Sequence, residues 1–306
     1  MALLSIEGLS KSFGALQVLN NLSFEVEQGS VFGFIGKNGS GKTTTMKIIV
    51  GLLKAQSGSV HISGVPVKYG ETKTNHMIGY LPDVPEYYGF FNAIEYLRLV
   101  GQIANMSPAK IKSQTSELLE LVGLQDSAKR KIRGYSRGMK QRLGIAQALI
   151  HEPTLLICDE PTSALDPQGR SDLLGLLELV RQRTTVLLST HILTDVERVC
   201  DAVGVLDGGK LALYGKLDEL KAAHRRDTIV IEMESAAAAQ RLAQPLLGLP
   251  FVQQVGGGGN TLTIDVHNVT ANGRDVLAFL SEQDSTVRAY HVLEPSLESL
   301  YLDVIA

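Results

Sequence analysis

The stretch Val31-Phe32-Gly33-Phe34-Ile35-Gly36-Lys37-Asn38-Gly39-Ser40-Gly41-Lys42-Thr43-Thr44-Thr45-Met46-Lys47-Ile48-Ile49 decides the fold. Its first five residues form an apolar run of the kind that suits a strand buried on both faces. Gly36 to Thr43 then satisfies G-x-x-x-x-G-K-[ST], and a helical run begins at Thr44. Strand, glycine-rich loop and helix in that order make a cradle for phosphate. Glycines let backbone N–H groups curl around the anion, and the helix amino terminus adds the positive end of a dipole. The expected phosphate-binding residues are Gly36, Lys37, Asn38, Gly39, Ser40, Gly41, Lys42, Thr43 and Thr44. Lys42 suits the β- and γ-phosphates of ATP, and the Thr43 hydroxyl suits Mg2+.

Working outward, Leu155-Leu156-Ile157-Cys158 and Thr185-Val186-Leu187-Leu188-Ser189 repeat the buried-strand pattern. Each is followed by polar or glycine-rich residues and a helical segment, the arrangement of an α/β domain with a largely parallel sheet. Ile6-Glu7-Gly8-Leu9 and Leu22-Ser23-Phe24-Glu25-Val26 alternate instead, which predicts a small antiparallel sheet at the start. From Val84 to about Gln141 the pattern is amphipathic and helical, as in Glu117-Leu118-Leu119-Glu120-Leu121-Val122, and is read as an insertion. Residues 1–217 are therefore expected to form a nucleotide-binding domain, with a helical subdomain at about 84–141. Residues 218–306 read strand, helix, two strands, helix, strand, helix, an α+β module of ferredoxin-like order. There Thr228 to Met233 and Thr286 to Val292 alternate, and Gly256-Gly257-Gly258-Gly259-Asn260 joins the middle strands as a hairpin. The fold class expected is a P-loop α/β core with an antiparallel subdomain, a helical insertion and a C-terminal accessory module.

Bulk properties exclude several classes. Of 306 residues, 44% are hydrophobic and 20% charged, values of a folded globular chain. The net charge of -3 gives no electrostatic reason to expect nucleic acid as partner. Two cysteines, Cys158 and Cys200, make no disulfide framework and fit a reducing compartment. Met1 to Ser10 lacks the basic flank, apolar core and cleavage site of a signal peptide. The apolar run Ile48 to Leu53 is far too short to span a bilayer, so a membrane role is expected to act through another polypeptide.

The run Leu155 to Cys158 ends in Asp159 and Glu160. Beside a phosphate loop, Asp159 is placed to hold the Mg2+ shell and Glu160 to act as general base on attacking water. Cys158 reads as a small core residue rather than a reactive thiol.

The sequence resembles the ATP-binding subunits of ABC transporters. The resemblance rests on Tyr135-Ser136-Arg137-Gly138-Met139 followed by Lys140-Gln141-Arg142-Leu143, on Asp159-Glu160-Pro161-Thr162, on Ser163-Ala164-Leu165-Asp166-Pro167, and on Ser189-Thr190-His191. It implies that Ser136 and Gly138 meet the γ-phosphate of ATP bound to a second subunit. A head-to-tail dimer, of two copies or of this chain with a paralogue, follows from it. It further implies that Asp166 links the two sites, that His191 contacts the γ-phosphate and orders water, and that Phe13 stacks on adenine. Phe13 as a core residue is the other reading. Two departures stand out: Arg137 and Met139 replace the glycine and glutamine of the commonest signature, and Asp83 follows Tyr80-Leu81-Pro82 where a glutamine usually touches Mg2+ and water. Asp83 is kept as a candidate metal-shell residue.

Val84-Pro85-Glu86-Tyr87-Tyr88-Gly89-Phe90-Phe91 has two readings, a core lining or a dock for a helix of an integral membrane subunit. The tail Leu293-Glu294-Pro295-Ser296-Leu297-Glu298-Ser299-Leu300-Tyr301-Leu302 resembles that of exporter ATPases whose membrane subunits are separate polypeptides, bacterial drug and antibiotic exporters included. Its Leu297, Leu300 and Tyr301 face either caps the module's sheet or serves dimer contact or regulation. Lys129-Arg130-Lys131-Ile132-Arg133 reads as a solvated loop. The resemblance thus implies the ATPase of an exporter at the cytoplasmic face of the membrane. The rival is a soluble ATPase of the same superfamily acting in nucleic-acid maintenance or translation. The former carry long coiled coils and the latter two cassettes, neither of which this sequence has.

Overall fold

In the computed structural model, which describes residues 2–223, 227–293 and 296–305, the run Val31–Ile35 is an inner strand of a six-stranded sheet. The chain divides into two units, Met1–Glu219 with Tyr301–Ala306, and Leu220–Leu300. In chain order it begins β1 (Ala2–Phe13), β2 (Leu16–Glu27), β3 (Val31–Ile35), α1 (Lys42–Ile49), β4 (Ser57–Ile62), β5 (Val65–Pro66) and β6 (Ile78–Leu81). Three helices follow, α2 (Ala93–Ile103), α3 (Pro108–Leu121) and α4 (Arg137–Leu149). Next come β7 (Leu155–Asp159), α5 (Pro167–Val180), β8 (Thr185–Thr190), α6 (Leu193–Val199), β9 (Ala202–Asp207), β10 (Lys210–Lys216) and α7 (Leu217–Ala223).

The large sheet has the order β10-β9-β3-β8-β7-β6. Strands β9, β3, β8, β7 and β6 are parallel, and β10 joins one edge antiparallel. Every residue of β3, β7 and β8 is buried, which is why these segments read as unbroken apolar runs rather than alternations. A second sheet, β2-β1-β4-β5, is antiparallel throughout. Its inner face packs on the large sheet through Phe24, whose ring stacks on Phe32 and Phe34 at centroid distances of 5.3 and 5.2 Å. Each such side chain stabilises the fold by roughly 2 kcal/mol in leaving water.

The helical segment starts cleanly. Asn92 caps α2 in a reciprocal box with Glu95, and Ser107 caps α3 with Pro108 at its first turn. Helix α4 continues to Leu149, burying Leu143, Ile145, Ala146 and Ala148.

The second unit comprises β11 (Thr228–Met233), α8 (Ala236–Leu247), β12 (Val252–Gly258), β13 (Thr261–Val266), α9 (Val269–Ser281) and β14 (Val287–Val292), followed by α10 (Leu297–Ile305). Its sheet is antiparallel in the order β12-β13-β11-β14, the ferredoxin-like arrangement. The glycine run joins the middle strands as the expected hairpin, but most of it is strand rather than turn. Gly256, Gly257 and Gly258 belong to β12, and the turn itself is Gly259-Asn260, with Gly259 at φ +60°. In the tail, Glu294 and Pro295 lie outside the described residues; Leu297 and Leu300 are buried, so that face of α10 is covered within the chain.

Candidate functional site

Strands β3, β8, β7 and β6 are parallel neighbours, so their carboxyl ends share one edge of the sheet. The residues at or just past those ends are Gly36–Thr43, His191, Asp159 with Glu160, and Asp83. This edge is where open parallel sheets bind ligands. A cleft of about 430 Å3 opens there, lined by Val18, Asn38, Gly39, Gly41, Lys42, Thr43, Thr44, Asp83 and Glu160.

The loop has the shape its glycines allow. Gly39 and Gly41 lie at φ +83° and +112°. A Cβ on Gly36 would fall 2.4 Å from Ser40 Oγ and 2.6 Å from the Leu206 carbonyl oxygen. One on Gly41 would fall 2.7 Å from Leu19 Cδ2, so both positions exclude a side chain. Gly41 caps α1, which begins at Lys42 and aims its first N–H groups into the loop. The buried Lys42 ammonium donates to the carbonyls of Gly36 (2.6 Å) and Lys37 (3.3 Å) and lies 3.2 Å from Glu160 Oε1. Ser40 Oγ is buried with no hydrogen-bond partner among the described residues, an uncompensated polar atom inside the phosphate cradle. A phosphate ligand fits these features, since it supplies the acceptor that the cation and the hydroxyl need.

The carboxylates are held at β7. Asp159 is buried and accepts from Ser189 Oγ at 2.9 Å and from the Thr43 hydroxyl. Burial pushes its pKa up, and the neighbouring Glu160 adds to this, while the bonds from Ser189 and Thr43 and the Lys42 charge pull the other way. A hard cation beside Thr43 and Asp159 would match this oxygen pair. Glu160 takes the left-handed conformation, φ +48°, fixed by its N–H donating to the Ser189 carbonyl at 2.8 Å. Strain of this kind at a non-glycine residue gathers at functional sites. The turn directs the carboxylate between two partners, Lys42 on Oε1 and His191 Nδ1 on Oε2 at 2.9 Å. Asp83 borders the same cleft, its carboxylate accepting from Ser163 Oγ at 3.0 Å.

The remaining candidates lie outside the set that lines the cleft. Phe13 ends β1 half exposed at 50%, with Lys11 Nζ 5.1 Å from its ring centroid. The core reading of Phe13 is therefore wrong: no apolar neighbourhood encloses it. Ser136 is the N-cap of α4, its Oγ accepting from the Met139 N–H, and Gly138 sits in the first turn of α4. Asp166 caps α5, accepting from Gly169 N–H at 2.9 Å.

Sequence reasoning gave no role to Ser189, Gln141 or Val18. Ser189 steadies Asp159, the buried Gln141 donates to the Asp83 carbonyl at 2.8 Å, and Val18 walls the cleft. Ser189 and Gln141 sit in the runs Ser189-Thr190-His191 and Lys140-Gln141-Arg142-Leu143, but neither run tells of these contacts, whose partners lie 30 and 58 residues away. The thiol of Cys158 is fully buried and its pKa is pushed up to about 12 by desolvation, so it is a core residue and not a nucleophile.

The aromatic stretch splits between its two readings. Tyr87 packs edge-on against Tyr96 at 5.1 Å and donates to the Lys140 carbonyl at 2.8 Å, while Tyr88 and Phe90 are 60% and 66% exposed. Lys129, Arg130, Lys131 and Arg133 are exposed around the buried Ile132, as a solvated loop requires.

Comparison with known proteins agrees with this geometry. The ABC transporter family matches residues 19–163, and the family described as ATP-binding protein DrrA1-3-like, C-terminal domain, matches residues 215–305. An uncharacterised ABC transporter ATP-binding protein of Bacillus subtilis (strain 168), YxlF, is 36% identical over 99% of both chains. The linearmycin resistance ATP-binding protein LnrL of the same organism is 31% identical over 99% of this chain and 98% of its own length. A solved ATP-binding subunit of an ABC transporter superposes with a TM-score of 0.66 at 33% identity, covering 72% of this chain and 92% of that one.

Proposed function

The chain belongs to the ATP-binding subunits of ABC transporters, and from that premise we propose that its nucleotide site is the cleft at the carboxyl edge of β3, β8, β7 and β6. As a member of this family it is an ATP-hydrolysing subunit of a transporter. Lys42 and the N–H groups of Gly39 to Thr44 bind the β- and γ-phosphates. Thr43 and Asp159 would hold Mg2+, with Asp83 at the rim of the same site; the ion, when bound, would offset charge on the phosphate oxygens. Glu160 takes the proton of the attacking water, and His191 orients that carboxylate and meets the γ-phosphate. The exposed Phe13 ring stacks on adenine.

The observation that carries this reading is the contact series Lys42–Glu160–His191 beside Asp159, which joins a phosphate cation, a base and its orienting group. Ser136 and Gly138 stand outside the lining of this cleft, which supports their service to the site of a second copy or a paralogue, with Asp166 between the two sites. Expected for Glu160→Gln is retained ATP binding, turnover lowered by ~100-fold or more, and an ATP-trapped dimer in size-exclusion chromatography. Ordinary steady-state turnover in that variant refutes the Glu160 assignment.

Among the described residues no helix is long and apolar enough to cross a membrane. As in transporter complexes of this family, the transport work passes to an integral membrane subunit, which docks on the exposed Tyr88 and Phe90 at the cytoplasmic face of the membrane. The likeness to a linearmycin resistance protein over the whole chain supports export of an antibiotic-class cargo. Helices α2 and α3 span only 11 and 14 residues, which disfavours the nucleic-acid maintenance reading, whose members insert long coiled coils there. An affinity pull-down from detergent-solubilised membranes is expected to recover the membrane subunit, and Tyr88→Ala with Phe90→Ala to lose it; equal recovery with that pair disproves the docking surface.

A further inference from the structure

One buried carboxylate outside the lining of the cleft has no part in the reaction scheme. Asp195, in the first turn of α6, is 1% exposed. Its Oδ2 accepts from Thr162 Oγ1 at 2.6 Å, and its Oδ1 accepts from Arg170 Nε. Arg170 also donates through Nη2 to Thr194 Oγ1 at 2.7 Å. Thr162 is itself 2% exposed.

Each arm of this network begins near a different candidate site residue. Thr162 lies two residues after Glu160, within a turn closed by Ser163 N–H to the Glu160 carbonyl and Leu165 N–H to the Thr162 carbonyl. Arg170 lies one helical turn after Asp166, and its N–H donates to the Asp166 carbonyl at 2.9 Å. Asp195 lies four residues after His191, at the start of the helix that continues from it. One carboxylate thus ties together three segments that share no sheet ladder past the strand ends. An ion pair with its carboxylate buried gives little net stability, because desolvation cancels most of the attraction, but removing the half-exposed Arg170 leaves the Asp195 charge stranded. What such a pair fixes well is geometry, since the carboxylate accepts only along set directions.

We propose that Asp195, with Thr162 and Arg170, is the positioning group that sets the segments of Glu160, Asp166 and His191 relative to one another, so that ATP turnover depends on it while nucleotide binding does not. Among the described residues no hydrogen bond or ion pair links Lys42 or the phosphate loop to the triad, which is why the two steps separate. The inference rests on the roles proposed above for Glu160 and His191.

The test uses the full-length chain, with Mg-ATP in steady-state assays and a trinitrophenyl-ATP probe for binding. Thr162→Val, nearly isosteric, is expected to lower kcat ~10-fold or more, as a misplaced base does, with KM and probe affinity within about 2-fold. Thr162→Ser restores the hydroxyl and is expected to recover kcat. Asp195→Asn is expected to follow Thr162→Val, and combining it with His191→Ala to add less than the product of the single losses, because both act on the same carboxylate. Glu160→Gln is the control. If it is inactive and Thr162→Val and Asp195→Asn keep wild-type kcat, the positioning role alone is overturned. If kcat, probe affinity and thermal stability fall together and Thr162→Ser does not recover kcat, the triad is structural and the proposal again fails. Normal turnover by Glu160→Gln overturns the site reading and the positioning role with it.

Discussion

The two units of this chain bury different things. The first encloses Lys42, Gln141, Asp159, Thr162, Ser189 and Asp195 among its apolar side chains, whereas Thr228 is the one buried polar residue of the second among those described. The core of the second is ordinary: Ile229, Ile231 and Met233 from β11, Leu262, Ile264 and Val266 from β13, and Ala238, Leu242, Leu246, Val276 and Leu280 from the helices. Period 2 in the strands and 3.6 in the helices account for all of it. The first unit departs from those periods at the carboxyl edge of its sheet, where a buried lysine, a strained glutamate and a desolvated aspartate meet. Buried charge costs stability unless paired. A domain that holds several such groups in one place is arranged for chemistry, and a domain without them is arranged for packing.

That contrast can be broken by experiment. The largest effect is expected from Asp159→Asn, which removes the proposed Mg2+ ligand and is expected to lower Mg-dependent turnover on the order of 100-fold. The wild-type carboxyl has its pKa raised by burial, so its charged form is lost at a higher pH than an ordinary aspartate's as the solution is acidified. Mg-ATP affinity is therefore expected to fall on acidification from neutral pH, starting above the usual aspartate range, and to flatten in Asp159→Asn; a titration of affinity against pH checks this. The second unit is expected to answer only in stability. Ile264→Ala, at a fully buried site, is expected to cost about 2–5 kcal/mol. Calorimetry is expected to show the loss, and ATP affinity to stay unchanged; a matching loss of ATP affinity removes the division between the units. The smallest effect is expected from Phe13→Ala. Because Phe13 is half exposed, stability is expected to move by no more than about 0.5 kcal/mol. If the ring stacks on adenine, ATP affinity falls by about 1–3 kcal/mol, or roughly 5-fold and upward, in a titration against ATP.

Most of the site was legible because its parts are local. A phosphate loop is eight consecutive residues, and an apolar run ending in Asp159-Glu160 announces both the strand and its carboxylates. Phe13 was not settled, since an aromatic at a strand end reads equally as core or surface until its neighbours are known. The aromatic run 87–91 was ambiguous for the same reason, and the fold divided it, half-burying Tyr87 and leaving Tyr88 and Phe90 exposed. Gln141 and Ser189 gained their roles through partners 58 and 30 residues away.

The sequence by itself determined the buried parallel strands, the glycine loop and the order of the second unit's elements, because each follows from short-range spacing and steric limits on φ. Only the tertiary structure decided the strand order β3-β8-β7-β6, which brings Lys42, His191, Glu160 and Asp83 to one edge. It also decided that Asp195 reaches Thr162 and Arg170 across three segments. The physical reason is the same in both cases. A charged group is tolerated inside a protein only where distant parts of the chain supply its partners, and which parts meet there is a property of packing, not of neighbouring residues.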